Sequence, residues 1–479
     1  MTTMSYNLPP QLEDLRGFLP ELVAEAENKV PYASALVTQS AGETVSKSPA
    51  DERTNPVPPR PGIRISAWDG ATFHSAATSR IDDRDYLLKL TRELVQPLAV
   101  RHGPMPDPGS PLDRHFRSEF KEDPEKVSAQ ERRAVCRHAF EQLAGFDKRI
   151  VAPRAVYAYE REYRLFCNRT RLLSSDTSNV GLYLIPVASD GRKQVMNFKG
   201  SVAPGHEAAR VTDETIRETA ELAVQYLSAE KIQAGEYRVI LDPDITGTLA
   251  HESFGHGCEV DALMRGAARA ALYIGRRVGS DLVNIVDFGG LPGRHGSIFF
   301  SDDGVLAEEP AVLVKDGILQ PTLMTDLYSY LHMHDRIPGL KLSANGRLQD
   351  YDHPIYARMT NTYFLPREKE NGGMTREELI ASSGDAILIE QLTSGMEDPL
   401  GWGVQLQALR GREISGGKLT GKLYYQVGLT GYVPDVLASV DGITNELDVS
   451  SGGGCGKGHK EYVRVSSGGP YIRCRMKLG

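Results

Sequence analysis

His251-Glu252-Ser253-Phe254-Gly255-His256 places an imidazole at each end of a short segment with a carboxylate beside the first. These are the groups of a hydrolytic metal site. Neutral imidazole is a good ligand for Zn²⁺, and a carboxylate next to a ligand can reach a metal-bound water without binding the metal. Glu252 is then the general base. In the H-E-x-x-H pattern the two histidines stand four apart on one helical face. His251 and His256 are five apart, roughly 140° round a regular helix, so an ideal helix does not converge them. Gly255 and Gly257 bracket His256 and let the backbone leave helical geometry at little steric cost. The expectation is a helix that unwinds or bulges at Gly255 and carries His256 back towards His251. The plain alternative is two ordinary histidines capping or packing a helix end.

A second unusual segment lies near the C-terminus, Ser450-Ser451-Gly452-Gly453-Gly454-Cys455-Gly456-Lys457-Gly458-His459. Glycine is entropically costly in a strand or helix, so the run is expected to be a loop whose backbone approaches something closely. A thiolate at Cys455 could complete a two-His, one-Cys zinc site and leave the fourth position to water. The alternative is a flexible loop with an incidental buried cysteine. Cys258, two residues past His256, is either a competing ligand or a small buried residue. His459 is a candidate hydrogen-bond donor to the site, or an exposed histidine.

Together these segments resemble the TldD/PmbA family of metallopeptidases, in its metal-bearing TldD-type form. The resemblance is carried by Leu249 to Gly257 with Glu259 and Asp261, by Gly296-Ser297-Ile298 followed by Asp302-Asp303-Gly304, by Arg358 to Tyr363, and by Cys455-Gly456-Lys457. It implies that His251, His256 and Cys455 hold one Zn²⁺ per chain and that Glu252 is catalytic. It also implies substrates that are peptides or unfolded protein segments, leader peptides among them, and assembly as a homodimer or as a heterodimer with a PmbA-type subunit. Fe²⁺ or Co²⁺ would suit similar ligands. The competing reading is a non-catalytic regulatory or binding subunit. Against it, a structural metal site needs ligands but no general base. A third is a hydrolase of small amides. No segment identifies a substrate-binding residue or a cleavage sequence.

Composition agrees with a globular enzyme. The chain has 479 residues, 40% hydrophobic and 25% charged, enough for two or three domains. No apolar run approaches the ~20 residues that span a bilayer, and residues 1–10 carry no basic-then-apolar signal pattern. A formal net charge of −8 argues against direct nucleic-acid binding. Five scattered cysteines argue against a disulfide framework and for a reducing cytoplasm.

The expected fold class is α+β, with an N-terminal α/β domain over residues 1–230 and a mainly β domain over 231–479 that carries the metal-site helix. Leu12, Leu15, Leu19, Leu22, Val23 and Ala26 recur at helical spacing despite Pro20. A strand is expected over Ala33 to Thr38. Residues Ser48 to Pro61 hold five prolines and read as an exposed loop. Ile63 to Trp68 and Thr72 to Thr78 flank Asp69-Gly70 as a hairpin, and a helix follows to about Val95. Ser128 and Glu131 open a helix ending near Gly145, with strands from Val151 to Val187. A helix from Thr212 to about Ala229 joins the halves. The strand Tyr237 to Leu241 then leads through Asp242-Pro243 into the helix bearing His251. Val312 to Leu323, turning at Asp316-Gly317, reads as another hairpin. Asp302-Asp303-Gly304 reads as a turn rather than a second cation site, and Arg358 to Tyr363 as structural rather than peptide-binding.

Overall fold

In the computed structural model, which describes residues 8–457 and 461–479, the N-terminal part is a sheet backed by helices. The helix Pro10–Glu27 buries Leu12, Leu15, Leu19, Leu22, Val23 and Ala26, the stripe expected from their spacing. With the helix Arg84–Val95 it covers Ala33, Ala35, Val37, Ile63 and Ile65. The helices Ala129–Phe146 and Asp213–Gln225 cover a second stretch of the same sheet through Leu143, Ile216 and Ala220 against Tyr157 and Leu182. Both start on side-chain caps, Ser128 and Thr212 accepting the N–H of Glu131 and Thr215.

The sheet runs in the order Phe73–Thr78, Glu52–Trp68, Tyr32–Lys47, Arg154–Cys167, Arg171–Ile185, Leu112–Arg117, with Lys199–Ala203 also on Arg171–Ile185. Here one expectation fails. Residues 52–61 are strand, not loop, paired with residues 39–47 across a bulge at Ser40/Gly42. The third strand reaches only Ile63 to Trp68, so residues 52–61 form a sheet edge. An edge tolerates proline because the missing N–H faces no partner.

The C-terminal part is mainly β. Gly235–Leu241 pairs in parallel with residues 387–389 on one side and antiparallel with Ile472–Leu478 on the other. Together with Ala386–Asp398, Gly403–Ser415 and Lys418–Tyr432 they close a five-stranded barrel. A second sheet runs Ile318–Leu319, Ala311–Lys315, Ile285–Asp287, Asn361–Phe364, Glu461–Gly469, Asp448–Lys457. Its first hairpin turns at Asp316 and Gly317, both with positive φ (48° and 73°), as its sequence predicts. The helix Pro243–Ala250 is held between barrel and sheet. Its Gly247 lies so close to the backbone of Gly468 that a Cβ would sit 2.0 Å from the Gly468 nitrogen.

The glycine-rich run is the second correction. Residues 448–457 are an edge strand on Glu461–Gly469, with an irregularity between Asp448 and Ser451. Close approach applies at Gly452, where a Cβ would lie 2.9 Å from the His295 Cβ, whereas one on Gly453 would meet nothing within 4 Å. His459 and Gly458 lie outside the described residues.

The C-terminal part meets the N-terminal sheet through charge and apolar contacts made from the side of its second sheet. Arg464 donates to Glu160 (2.6 Å) and to Glu162, and Arg164 pairs with Asp302. Phe166, Leu36 and Leu173 pack on Phe300 and Leu348 beside them. Asp302-Asp303-Gly304 is thus a buried turn, its carboxylates also accepting the Leu348 and Leu327 N–H groups at 2.8 and 2.9 Å. Among the described residues no helix is long and apolar enough to cross a membrane.

Candidate metal centre

Asp242 caps the helix that brings the first histidine, accepting the Ile245 N–H at 2.9 Å, and Pro243 fills the first helical position. Neither disturbs the ladder, because the first N–H groups of a helix have no internal partner. From His251 to Gly255 the chain makes one π-turn, closed by the His256 N–H on the His251 carbonyl. An i→i+5 bond takes up the extra residue. The two imidazoles therefore converge edge to face, ring centroids 5.1 Å apart and planes at 89°. The turn is fixed from outside. A Cβ on Gly255 would lie 2.1 Å from the Met359 sulfur, and the buried Phe254 ring meets Trp402 edge-on at 5.8 Å.

Cys455 comes from the edge strand of the second sheet. Its Sγ is 3.3 Å from His256 Nε2, and one donor atom each of His251, His256 and Cys455 lie within 4.8 Å of one another. Tetrahedral Zn–N and Zn–S bonds place their donors about 3.5 Å apart, so the set fits a Zn²⁺ ion. Burial would push the Cys455 thiol up, but the His256 charge and hydrogen bonds from both imidazoles outweigh it and bring it down to about 5. His256 moves the opposite way. Burial opposes its charge, yet Glu259 and Cys455 hold its pKa well above the ordinary histidine value.

Glu252 is half-buried, with a carboxylate oxygen within 4.8 Å of a His256 nitrogen and of the Glu397 carboxylate. All four residues read from the sequence are therefore brought together. Glu397 was not foreseen. It lies on the barrel strand Ala386–Asp398, on the same face as Gly395, whose missing Cβ leaves room for Glu252. Burial, and then the hydrogen bond and charge of Glu252, push its carboxyl up to about 8. It also lines an open cleft of about 790 Å³ with Met396, Tyr432, Arg475 and Lys477.

Residues 234–478, just over half of the chain, match the PmbA/TldA metallopeptidase C-terminal domain. The chain belongs to the TldD/PmbA metallopeptidase family. It is 26% identical to a metalloprotease of Synechocystis sp. over 97% of this chain and 98% of that one. It is 27% identical to a zinc metalloprotease TldD homolog of Saccharolobus solfataricus over 53% of this chain and 54% of the relative. The solved structure of TldE from Thermococcus kodakarensis superposes with a TM-score of 0.71 at 15% identity, over 96% of this chain and 99% of that one. That likeness concerns the fold.

Cys258 and the segment Arg358 to Asn361 with Thr362 sit in structural contacts. Cys258 is fully buried among Leu249, Phe254 and Val260, and burial raises its thiol pKa. Thr360 and Thr362 bond to the Asp287 carboxylate, and Asn361 donates to the Phe288 carbonyl at 2.6 Å. Arg358, fully buried, donates to the Cys455 carbonyl at 2.6 Å and so fixes that strand. Sequence reasoning noted Glu259 and Lys457 without giving them a task. Their spacing held the signal: Glu259 lies three residues after His256, and Lys457 shares the strand face of Cys455.

Proposed function

We propose that this chain is a zinc-dependent metallopeptidase acting on peptides or unfolded protein segments. What carries the reading is the position of Glu252, whose carboxylate lies within 4.8 Å of a His256 nitrogen while His251, His256 and Cys455 form a donor set without it. A bound Zn²⁺ supplies Lewis acidity, lowering the pKa of water and polarising a carbonyl. Glu252 takes the proton of the attacking water and returns it to the leaving amine. His251, His256 and Cys455 would hold the ion.

Two features suit a peptide substrate. Among the described residues no strand pairs with the second edge of residues 394–398, which run past Glu252. An extended peptide could add there as a strand through main-chain hydrogen bonds, largely indifferent to sequence. The cleft beyond Glu397 gives the chain a way out. Met396 (67% exposed) and Leu400 (57%) on the same hairpin suit cover by a second subunit, either another copy or a PmbA-type partner. We place the division between an N-terminal domain and the peptidase domain near residue 230, and the protein in the cytoplasm. Leader-peptide removal is one task such a site could perform.

Metal content and hydrolysis of an unstructured peptide are measured together for wild type, Glu252→Ala and Cys455→Ala. The expected result is about one zinc and cleavage for wild type, zinc without cleavage for Glu252→Ala, and loss of zinc for Cys455→Ala. Full activity in Glu252→Ala would show the mechanism to be wrong. Zinc without cleavage in wild type, alone and with a PmbA-type partner, would favour the non-catalytic subunit.

A further inference from the structure

Two of the donors, His256 and Cys455, lie 199 residues apart in the chain, yet the side chains beside them are joined without a gap. Glu259 is almost wholly buried, and its Oε2 accepts from His256 Nδ1 at 3.0 Å and from Lys457 Nζ at 3.0 Å. Lys457 spends its other two N–H bonds on Asp261 (2.6 Å) and the Ala357 carbonyl (2.9 Å). It stands two residues after Cys455 on one strand, so the two side chains share a face. An unbroken path therefore runs from the His256 ring through Glu259 and Lys457 to the strand that holds the thiol.

We propose that Glu259 and Lys457 form a clasp that positions His256 and Cys455 as one unit and sets the metal affinity of the site. The inference rests on the metal-binding part of the reading above. In the neutral form that a metal takes, Nδ1–H donated to Glu259 leaves the lone pair of His256 on Nε2, the nitrogen facing Cys455 Sγ. A carboxylate behind a ligating histidine fixes ring and tautomer and raises the basicity of the ligand. Lys457 holds that carboxylate in place. Without its ammonium, Glu259 and Asp261 would be buried carboxylates close together, and Glu259 could not be relied on to face the ring. Arg358 bonds to the Cys455 carbonyl and its charge favours the Glu259 carboxylate, but its bonds go to main-chain carbonyls and do not fix the Glu259 side chain against the His256 ring, so it does not replace the clasp.

If Lys457 merely neutralised buried acids, its removal would lower stability and leave metal affinity alone. The two roles separate when zinc affinity, by competition with a chelator, and the melting temperature of the metal-free protein are measured on the same full-length variants. Lys457→Met and Glu259→Gln should each weaken zinc binding about 10- to 100-fold. Because they cut one path, the double variant should lose little more than the weaker-binding single variant. Asp261→Asn leaves the path intact and should stay within about threefold of wild type. Wild-type affinity in Lys457→Met, or losses that multiply in the double variant, would overturn the proposal. If Lys457→Met does not fold, Glu259→Gln, which keeps the size of the side chain, decides alone: wild-type affinity there overturns the clasp. Affinity is read without any substrate. A protein that shows this pattern and cleaves nothing would keep the clasp and lose the peptidase reading, whereas a wild type that binds no zinc would remove both.

Discussion

Replacing Gly395 by alanine tests the placement of Glu252 without touching any metal donor. A Cβ at this position would lie 2.7 Å from a Glu252 carboxylate oxygen and 2.6 Å from the Thr248 methyl. Thr248 is buried and tied by its hydroxyl to the Asp244 carbonyl at 3.1 Å, so it yields little. Glu252 is half-buried, and its carboxylate is the flexible end of a long side chain. Restoring an ordinary contact of about 3.5 Å moves that oxygen by roughly 0.8 Å. A displacement near 1 Å at a reacting group can cost about 100-fold in rate, or ~2.7 kcal/mol of transition-state stabilisation. The carboxylate relieves its own clash, but the 2.6 Å contact with the tied Thr248 remains, so folding stability should fall by about 1–3 kcal/mol. The expected outcome for Gly395→Ala is a 10- to 100-fold fall in kcat with zinc content kept and the melting temperature lowered to match that loss of stability. The assay is steady-state hydrolysis of an unstructured peptide beside metal analysis and thermal unfolding of the same preparations. Wild-type kcat would show that Glu252 does not act from the position described here. Lost zinc would show that the strand supports the donors rather than the base.

Two further outcomes follow from the same site. Gly255→Ala sets a Cβ 2.1 Å from the buried Met359 sulfur, which should destabilise the fold by ~1–3 kcal/mol and weaken zinc binding as the π-turn opens. Adding Met359→Ala should recover part of both, as read by thermal melts and chelator competition; no recovery would place the cause elsewhere. The second outcome concerns pH. Despite burial, contact with the imidazoles holds the Cys455 thiol near 5, and against burial Glu259 and Cys455 keep His256 protonated well above the usual range. Zinc takes the thiolate and the neutral imidazole. Binding near neutral pH should therefore release about one proton, from His256, and a second below pH about 5 as Cys455 takes up a proton. Affinity then falls as pH falls, more steeply below about 5. Titration calorimetry in buffers of different ionisation enthalpy counts these protons, and proton-free binding at pH 7 would contradict the electrostatics described.

What could be read from the sequence depended on how local the cause was. The helix Pro10–Glu27, the cap at Ser128, the helix starting near Thr212, and the hairpin at Asp316-Gly317 were visible because each is decided by a few adjacent residues. The bulge at Gly255 was visible too, since five-residue spacing leaves the histidines apart unless the helix takes up one residue. The two misread segments, residues 52–61 and 448–457, fail for a shared reason. Proline and glycine argue against a strand only where both edges or both faces must be filled, and each segment is a sheet edge. Glu397 had no local signal at all. It stands 145 residues after Glu252 in a hairpin whose pattern says only that it is β, and the barrel register alone brings it to the site.

The same geometry explains why this site uses three supports rather than one helix. In a regular helix the i, i+4 spacing alone would converge two histidines. Here the extra residue is absorbed by a π-turn, whose single i→i+5 bond is a weaker constraint than an uninterrupted ladder. The turn is therefore held by packing: Met359 under Gly255, and Trp402 against Phe254. Trp402 lies in the turn of the barrel hairpin that carries Gly395 and Glu397. The element that fixes the shape of the histidine-bearing helix is thus the one that faces Glu252. Cys455 and Lys457 close the arrangement from the second sheet. Barrel, helix and sheet each supply one part, so the site can form only when all three have docked. A fragment carrying the H-E-x-x-x-H helix alone has two of the three donors and neither of the surfaces that converge them.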